Sequence, residues 1–393
     1  MQIKDIIEVL ENSESKEFIV RHLNDDIAAL SLQYAGKVDF NITVCLQLIK
    51  LYKKANKKLP TFTSNFLALT QRSYEQSTSE KVAKYKSTFI QGNKLIDLTA
   101  GLGVDSLYIS ENFNEVVALE SNDQLHQIAL YNLDKLRNEK IRRQLGVAEE
   151  AFLYGFDWIY IDPDRRNDSR HIKLDLLKPN VLEIIKKLKI TSVKCYIKLS
   201  PLFDIDEAIR VFPSLYKVHL IAEKGEVKEL GVELHIKSRE YEVEVSLQDV
   251  EKPFSFNFIQ NANAEISVTD GFSLGAFVLL PNALLVKSKS TRHYLADCDI
   301  LKHRDFEIYQ SDYSIEKKGI RCFEIISVSS LAPKKIKKEL SKNGIDQINI
   351  IIKGLPIETS VWHKKLATRD GGNYYLFLLK GKEKQAVLAK LIS

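Results

Sequence analysis

The segment that most constrains this chain is Leu95-Ile-Asp97-Leu-Thr-Ala-Gly101-Leu-Gly103. A short apolar strand leads directly into Asp97, two glycines follow, and a helical pattern begins after them. In doubly wound α/β domains this order of strand, glycine turn and helix forms the floor of a ligand pocket at the carboxyl end of the first strand. Glycine allows the backbone to approach a ligand more closely than any residue with a Cβ. The segment therefore predicts an α/β sheet with a nucleotide-type pocket.

Strand and helix patterns alternate after this segment, which indicates a mostly parallel sheet. The predicted strands are Leu95–Leu98, Glu115–Leu119, Trp158–Ile161, Val193–Leu199 and Lys217–Ala222. The predicted helices cover roughly 105–111, 124–140 and 180–188. Two further strands, 229–236 and 240–246, alternate in hydrophobicity and predict an antiparallel element that finishes the sheet.

The flanking regions have other patterns. The sequence predicts a helical region at residues 1–90, a β-rich domain at 249–312 and a compact α+β domain at 313–393. The α/β domain then comprises residues 91–248. In the last domain we expect strands at 322–328, 347–353 and 374–379, helices at 333–343 and 361–366, and a closing helix at 382–392.

Composition excludes several classes of protein. The four cysteines form no CxxC pair and the eight histidines show no HxxxH spacing, so we expect neither a metal site nor a disulfide framework. No apolar run approaches the roughly 18 residues of a membrane helix, and no signal core begins the chain, which predicts a cytoplasmic protein. The net charge of +5 is compatible with nucleic acid. The pattern does not indicate an oligomeric state.

The predicted pocket suits a cofactor that carries an amino acid and a ribose. Asp97 is expected to orient the loop and the amino-acid end, while Thr99, Ala100, Gly101 and Gly103 bring the backbone close. Glu120 ends the second strand, where a carboxylate can accept both ribose hydroxyls. A dinucleotide site would have glycine or alanine where this chain has Ser106, and no Gly-Lys-Ser/Thr follows for a P-loop. The alternative is a structural glycine turn without a ligand.

A second informative segment is Phe156-Asp-Trp-Ile-Tyr-Ile-Asp162-Pro163-Asp164-Arg165-Arg166. Its apolar run predicts a buried strand that places Asp162 and Pro163 beside a methyl donor, with Pro163 in contact with the substrate. Amino-group methylases have an aromatic residue after this turn, and here Asp164 stands instead. Asp164 can accept a proton or orient an amine. Arg165 and Arg166 can bind a substrate phosphate, or alternatively close the loop by a salt bridge.

Lys198 lies near the end of the predicted strand Val193–Leu199, and it is either a substrate contact or an internal ion-pair partner. Together, the ends of the strands at Asp97, Glu120 and Asp162 indicate an S-adenosylmethionine-dependent methyltransferase. Catalysis then consists mainly of alignment, because the sulfonium is already activated. We assign the catalytic roles to Asp162, Asp164 and Lys198.

The chain resembles the bacterial, Bacteroidetes-type class I methyltransferase-like proteins that carry a THUMP-like C-terminal domain. The matching segments are Lys58–Pro60, Glu75–Glu80, Ala83–Lys86, Asp97–Ser106, Ile161–Arg166, Lys198–Pro201 and Asp370–Gly372. The resemblance implies a Rossmann-like methyltransferase domain, a ferredoxin-like middle domain and a THUMP-like end. It also implies S-adenosylmethionine as cofactor and RNA, either tRNA or rRNA, as partner. Separately, Ser79–Ala83 resembles the lead-in helix of trimethylguanosine-synthase-type enzymes, which lies beside the cofactor.

One position departs from that family's pattern. After the third strand such enzymes place Gly-Asp-Ala, whose aspartate contacts the adenine amine, and this chain has Gly146-Val147-Ala148. Valine cannot accept that hydrogen bond, although Glu149 can replace it. An unpaired buried donor costs roughly 1–3 kcal/mol. The alternatives to an RNA methyltransferase are therefore a catalytically degenerate RNA-binding protein and a methyltransferase for small molecules or proteins.

Overall fold

The computed structural model describes residues 2–165, 174, 177–188, 193–236, 242–259 and 267–393. The chain divides into two compact units. The first comprises Met1–Glu223 and Lys228–Val243, and the second comprises Lys224–Val227 and Glu244–Ser393.

The first unit begins with helices that pack around an apolar core. They are α1 (Ile3–Glu11), α2 (Ser13–Arg21), α3 (Ile27–Tyr34), α4 (Ile42–Ala55), α5 (Pro60–Ser64), α6 (Gln71–Gln76) and α7 (Glu80–Ser87). Polar side chains cap several of them, because the first N–H groups of a helix have no partner within it. Asn41, for example, accepts a hydrogen bond from the N–H of Val44. Leu48 and Ile49 of α4 are fully buried in this core.

A mostly parallel sheet follows the helices. Its strands are β1 (Lys94–Asp97), β2 (Glu115–Glu120), β3 (Ile141–Leu145), β4 (Trp158–Ile161), β7 (Lys194–Leu199), β8 (Leu215–Glu223) and β9 (Glu226–His235). The strands β5 (Asp164–Arg165) and β6 (Leu177–Lys178) form a separate short pair. The helices between strands are α8 (Val104–Ile109), α9 (Asp123–Lys135), α10 (Val181–Leu188) and α11 (Ile205–Val211).

The order of the strands within this unit is β8-β9-β7-β4-β1-β2-β3. β1 pairs in parallel with β2 on one side and with β4 on the other, so the direction of winding reverses at β1. Ligands of open α/β sheets bind at such a reversal, outside the carboxyl ends of the strands. β9 runs antiparallel to β7, as the alternating pattern of its sequence indicated. These strands confirm the predicted α/β sheet.

The second unit contains the hairpin β10 (Glu244–Asp249) and β11 (Phe254–Ile259) and a larger mixed sheet. The sheet strands are β12 (Ser267–Thr269), β13 (Phe277–Pro281), β14 (Leu301–His303), β15 (Tyr309–Ser311), β16 (Ile320–Ser329), β17 (Asn349–Lys353), β18 (Tyr374–Lys380) and β19 (Lys384–Leu391). They lie in the order β12-β14-β15-β13-β16-β19-β18-β17. The helices are α12 (Ala283–Lys287), α13 (Thr291–Tyr294), α14 (Pro333–Lys342) and α15 (Thr359–Leu366).

The closing helix predicted at 382–392 is wrong, because this segment is the strand β19. β19 lies between β16 and β18 and pairs antiparallel with both. Ala386, Val387, Leu388 and Ala389 are all buried, so the strand is covered on both faces. A strand buried on both faces has a continuous apolar run that periodicity cannot distinguish from a buried helix. Its alanines and leucines favour a helix locally, and sheet pairing overrides that preference.

Two other predictions have a different outcome. The predicted strand at 240–246 begins outside the described residues, and β10 covers 244–249. The domain boundaries at 90, 248 and 312 stay predictions, although β13 and β16, on either side of 312, pair within one sheet. In the part of the chain that the structure describes, no helix combines the length and apolar character needed to cross a membrane.

Candidate functional site

A cavity of about 410 Å³ lies in the first unit where the strands β1, β2 and β4 end. Its volume falls within the range of about 300–1,000 Å³ that is typical of small-molecule sites. The cavity brings together all the predicted cofactor residues and two of the three predicted catalytic residues, Asp162 and Asp164. The cofactor residues are Asp97, Thr99, Ala100, Gly101, Gly103, Glu120 and Asp162 itself. Residues spread over 68 positions of sequence therefore share one wall, because the carboxyl ends of neighbouring parallel strands lie at one edge of the sheet.

The glycine loop adopts a backbone that requires glycine. Gly101 has φ +54° and Gly103 has φ +89°, both in the left-handed region. A Cβ added to Gly101 would meet only the Thr99 carbonyl oxygen, at 3.9 Å, so it would project into open space. Since Gly101 lines the cavity, a side chain there would occupy volume that the backbone leaves to a ligand.

Asp97 lies under this loop and holds it in shape. Its side chain is 2% exposed, accepts the N–H of Thr99 at 3.0 Å and accepts the hydroxyl of Ser106. Burial raises the pKa of Asp97 to about 7, although these two hydrogen bonds lower it. The group therefore changes charge close to neutral pH, and a cation bound nearby would favour its ionised form.

Glu120 joins the ends of β1 and β2. One carboxylate oxygen accepts the N–H of Gly101 at 2.8 Å, and the other accepts the N–H of Asn122 at 2.8 Å. An ionised carboxylate offers about four lone-pair positions, so roughly two remain free. These suit the paired hydroxyls of a ribose, which is the role predicted for Glu120.

Arg143 was not singled out by the sequence, although it supports the same loop. It lies on β3, is 8% exposed, and donates to the carbonyl oxygen of Gly101 at 2.9 Å. Burial lowers the pKa of the guanidinium, while the charges of Asp97 and Glu120 oppose this shift. The arginine offsets the negative charge of two buried carboxylates. An arginine within a strand of mixed polarity carries no local signal for such a role.

Asp162, directly after β4, lines another part of the cavity. Its N–H donates to the Thr99 hydroxyl at 2.6 Å, which ties the end of β4 to the glycine loop. One carboxylate oxygen lies 2.5 Å from the Lys198 ammonium at the end of β7. Although burial opposes it, the nearby carboxylates, Asp162 first, raise the pKa of Lys198. Of the two roles considered for Lys198, the geometry favours the internal ion-pair partner.

The structure places the predicted site residues after Asp162 in different surroundings. Pro163 is buried, and Asp164 is exposed and lines the cavity. Partial desolvation by the surrounding protein, followed by the negative charge of Asp162, raises the pKa of Asp164 above its usual value. Arg165 belongs to β5, and its backbone pairs with Leu177. Arg166 lies outside the described residues, so the phosphate-binding role of both arginines stays a prediction.

The N-terminal helical region supplies a wall of the cavity, although Ser79–Ala83, the segment that its resemblance placed beside the cofactor, is not among the lining residues. Thr70, Arg72, Gln76 and Thr78 line the cavity from α6 and the loop after it. A capping box between Thr70 and Ser73 starts α6. Near the C-terminal end of α6, Lys58 donates to the carbonyl oxygens of Tyr74 and Glu75 at 2.7 and 3.2 Å. Burial lowers the pKa of Lys58 to about 8.

The loop after β3 forms another part of the wall. Val147 is 38% exposed and lines the cavity together with Glu149. The N–H of Asn180 donates to one carboxylate oxygen of Glu149 at 3.4 Å. The second oxygen of Glu149 has the acceptor capacity that Val147 lacks.

The positions of the cysteines and of the possible metal ligands bear on which reactions the cavity can support. Cys45, Cys195 and Cys322 are buried, Cys298 is partly exposed, and none of these four lines the cavity. Among the described residues no group of three or more histidine, cysteine or acidic side chains is arranged to hold a metal ion.

Comparison with known proteins gives the following similarities. Residues 320–390 match the family model described as "THUMP domain-like". An 83-residue segment is 30% identical to a 23S rRNA (uracil(747)-C(5))-methyltransferase of Pyrococcus abyssi and covers 21% of this chain and 20% of that one. A 138-residue segment is 25% identical to a tRNA (uracil(54)-C(5))-methyltransferase of the same organism and covers 35% and 34%. The chain thus spans about a fifth to a third of the length of these relatives.

A solved structure matches the whole chain. The crystal structure of a "putative methyltransferase from Porphyromonas gingivalis W83" superposes with a TM-score of 0.81 over 100% of both chains, at 21% identity. At this identity the likeness establishes the fold. The chain therefore shares the fold of that protein, and its residues 320–390 are similar to a THUMP-like domain.

Proposed function

We propose that this protein is an S-adenosylmethionine-dependent methyltransferase that acts on a base of RNA, either tRNA or rRNA. The observation that carries the proposal is the single cavity that joins the left-handed glycine loop, Asp97, Glu120 and Asp162. The names of the partial relatives, which are RNA methyltransferases, support it.

The residues fit the proposed cofactor part by part. Gly101 leaves room for close backbone approach, and Glu120 keeps lone pairs for the ribose hydroxyls. Asp97 provides negative charge for the amino group, directly or through water. Val147 can pack against the adenine ring, and the second oxygen of Glu149 can accept the adenine amine. When bound, S-adenosylmethionine supplies a methyl group activated by its sulfonium.

The chain's own residues have simple tasks in the transfer. Asp162, held by Thr99 and Lys198, orients the accepting group beside the methyl donor. Asp164 takes up the proton that the acceptor releases, since a raised pKa suits a general base. Pro163, Arg165 and Arg166 are proposed to contact the substrate, the two arginines at a phosphate.

The chemistry of the acceptor differs from that named for the relatives. Transfer to C5 of uracil needs a nucleophile that first adds to the neighbouring C6, and cysteine is the side chain best suited to this. None of the four cysteines lines the cavity. We therefore propose a nitrogen or oxygen acceptor, for which Asp164 as a proton acceptor is sufficient.

RNA binding is proposed to involve the second unit. Helix α14 exposes Lys334, Lys335, Lys337, Lys338 and Lys342, and it contains a single acidic residue, Glu339. A basic helix of this kind suits a phosphate backbone. Location in the cytoplasm stays a prediction.

The first experiment is calorimetric titration of the full chain with S-adenosylmethionine and S-adenosylhomocysteine. We expect binding at roughly micromolar concentration. Transfer of tritiated methyl groups to tRNA and rRNA would then test the reaction, and Asp162→Asn should abolish transfer while cofactor affinity stays nearly unchanged. Absence of binding to folded protein would refute the enzyme and favour the degenerate RNA-binding alternative that Val147 suggests.

A further inference from the structure

A series of polar contacts runs from the partly exposed Asp162 to the buried Lys86. The ammonium of Lys198 is 2.5 Å from the Asp162 carboxylate and 3.2 Å from the Thr78 hydroxyl oxygen. The same hydroxyl lies 2.7 Å from one carboxylate oxygen of Asp105. The other oxygen of Asp105 lies 2.8 Å from the ammonium of Lys86. We call these five residues the acceptor-side relay.

The direction of each hydrogen bond in the relay follows from the groups themselves. An ammonium only donates and an ionised carboxylate only accepts, whereas a hydroxyl has one hydrogen to donate. Thr78 must therefore give its hydrogen to Asp105 and accept from Lys198. No other arrangement satisfies both contacts, so Thr78 links a carboxylate to an ammonium in a single orientation.

One end of the relay is anchored in the core. Lys86 is fully buried and contacts Asp105, Glu229 at 3.1 Å and the hydroxyl of Tyr160 at 2.8 Å. Tyr160 also donates to Asp105 at 2.9 Å. These residues come from α7, α8, β4 and β9, so the position of Asp105 is fixed by several elements. Thr78 itself is 9% exposed and immediately precedes the cap of α7 at Ser79.

The other end of the relay needs such an anchor. A lysine has a flexible four-carbon side chain and three equivalent donors, so its contact with Asp162 alone does not define a position. The contact with Thr78 limits where the ammonium can lie. Lys198 in turn engages one oxygen of Asp162, which is a residue that lines the cavity.

We propose that Thr78 is a positioning residue that aims the Asp162 carboxylate at the methyl acceptor by holding Lys198. Its consequence for catalysis rests on the proposed function. The inference also assigns a role in the reaction to the loop between α6 and α7, which lies outside the sheet that carries the strand ends.

The test compares three variants of the full chain. Thr78→Val keeps the shape and removes the hydroxyl, whereas Thr78→Ser keeps the hydroxyl. Thr63→Val is the matched control, because Thr63 is also 9% exposed and its hydroxyl also makes hydrogen bonds, at 3.0 and 3.1 Å, elsewhere in the helical region. Crystal structures and S-adenosylhomocysteine titrations of each variant accompany rates of methyl transfer to RNA. Should valine prevent folding, Thr78→Ala replaces it.

In Thr78→Val we expect Lys198 or the Asp162 carboxylate to change position in the crystal structure. The turnover rate should fall roughly 10- to 100-fold, which is typical of a misplaced reacting group. Thr78→Ser should restore most of the rate, and Thr63→Val should retain it.

An unchanged Asp162–Lys198 geometry in Thr78→Val, or a rate equal to that of Thr63→Val, would overturn the inference. Failure of the proposed function has a different signature. Wild-type protein would then transfer no methyl group to RNA, while the crystal structures would still decide whether Thr78 positions Asp162.

Discussion

Replacement of Lys86 by methionine should lower the unfolding free energy of the first unit by about 3–5 kcal/mol, the usual effect of breaking a buried ion pair. Methionine has a similar length and no charge. Lys86 is fully buried and lies 2.8 Å from Asp105 and 3.1 Å from Glu229. Its removal leaves two buried carboxylates without their cation, which is the main reason for the loss.

The remaining contacts limit the size of the effect. Asp105 keeps the hydroxyls of Thr78 and Tyr160, and Glu229 keeps the hydroxyl of Tyr196 at 2.9 Å. Although burial raises the pKa of Asp105, the charges of Lys86 and Lys198 lower it below its usual value. Without Lys86 we expect one carboxylate to bind a proton, which holds the loss within the stated range.

Urea unfolding followed by tryptophan fluorescence measures this loss. The chain has two tryptophans, Trp158 in the first unit and Trp362 in the second, so a Trp362→Phe background makes the signal specific to the first unit. Lys94→Met is the control, because Lys94 is 45% exposed and its 2.8 Å contact with Glu115 lies at the surface. Such a surface pair contributes about 0–1 kcal/mol.

The measured loss shows whether the ion pairs of Lys86 stabilise the first unit strongly or only as much as a surface pair. A loss below about 1 kcal/mol in Lys86→Met, similar to that of a surface pair, would refute the reasoning. The double variant with Glu229→Gln should be less destabilised than the sum of the two single variants, because each change relieves the charge left by the other. Additive effects would show that Lys86 and Glu229 are not coupled.

Three further predictions concern the loop, the cofactor and acid stability. Gly101→Val should abolish S-adenosylhomocysteine binding in calorimetry, whereas Gly36→Val, at a similar left-handed φ of +67° without close neighbours, should retain it. Because burial raises the pKa of Asp97 to about 7, the affinity for S-adenosylmethionine should rise about tenfold from pH 6 to 8 and then level off. In Asp97→Asn the affinity should not change over this pH range. A wild-type affinity that is equally independent of pH would contradict the role assigned to Asp97. Despite its burial, hydrogen bonds from His219 and His235 lower the pKa of Glu233 from 4.5 to about 2; its contribution to stability is therefore present above pH 4.5 and is lost as the pH falls towards 2. Glu233→Gln should remove this part of the acid sensitivity in urea unfolding, and an unchanged pH profile would count against it.

Local sequence was sufficient for the main strands and for the residues at their ends. Asp97, Glu120 and Asp162 each follow an apolar run directly, and parallel strands bring such ends to one edge. The functional glycines of the loop could also be identified from the sequence, because their left-handed backbone restricts the choice of residue at those positions. These features depend on a few neighbouring residues, and the structure confirms where the strands end.

Residues whose roles arise from distant contacts were not found. Thr78 meets Asp105 over a separation of 27 residues and Lys198 over 120, and Lys86 meets Glu229 over 143. A threonine in a loop or a lysine near the end of a helix has no pattern that predicts such partners. The error at β19 has the same origin, since its alanines and leucines favour a helix and only its position between β16 and β18 makes it a strand.

The sequence by itself therefore determined the class of sheet and the floor of the pocket, because strand ends and glycine turns are set by backbone geometry over a few residues. Only the tertiary structure decided which side chains hold the carboxylates of the pocket. Buried polar groups are stabilised by whichever partners the fold brings within hydrogen-bonding distance, and for Asp105, Lys198 and Asp162 those partners come from other elements of the first unit.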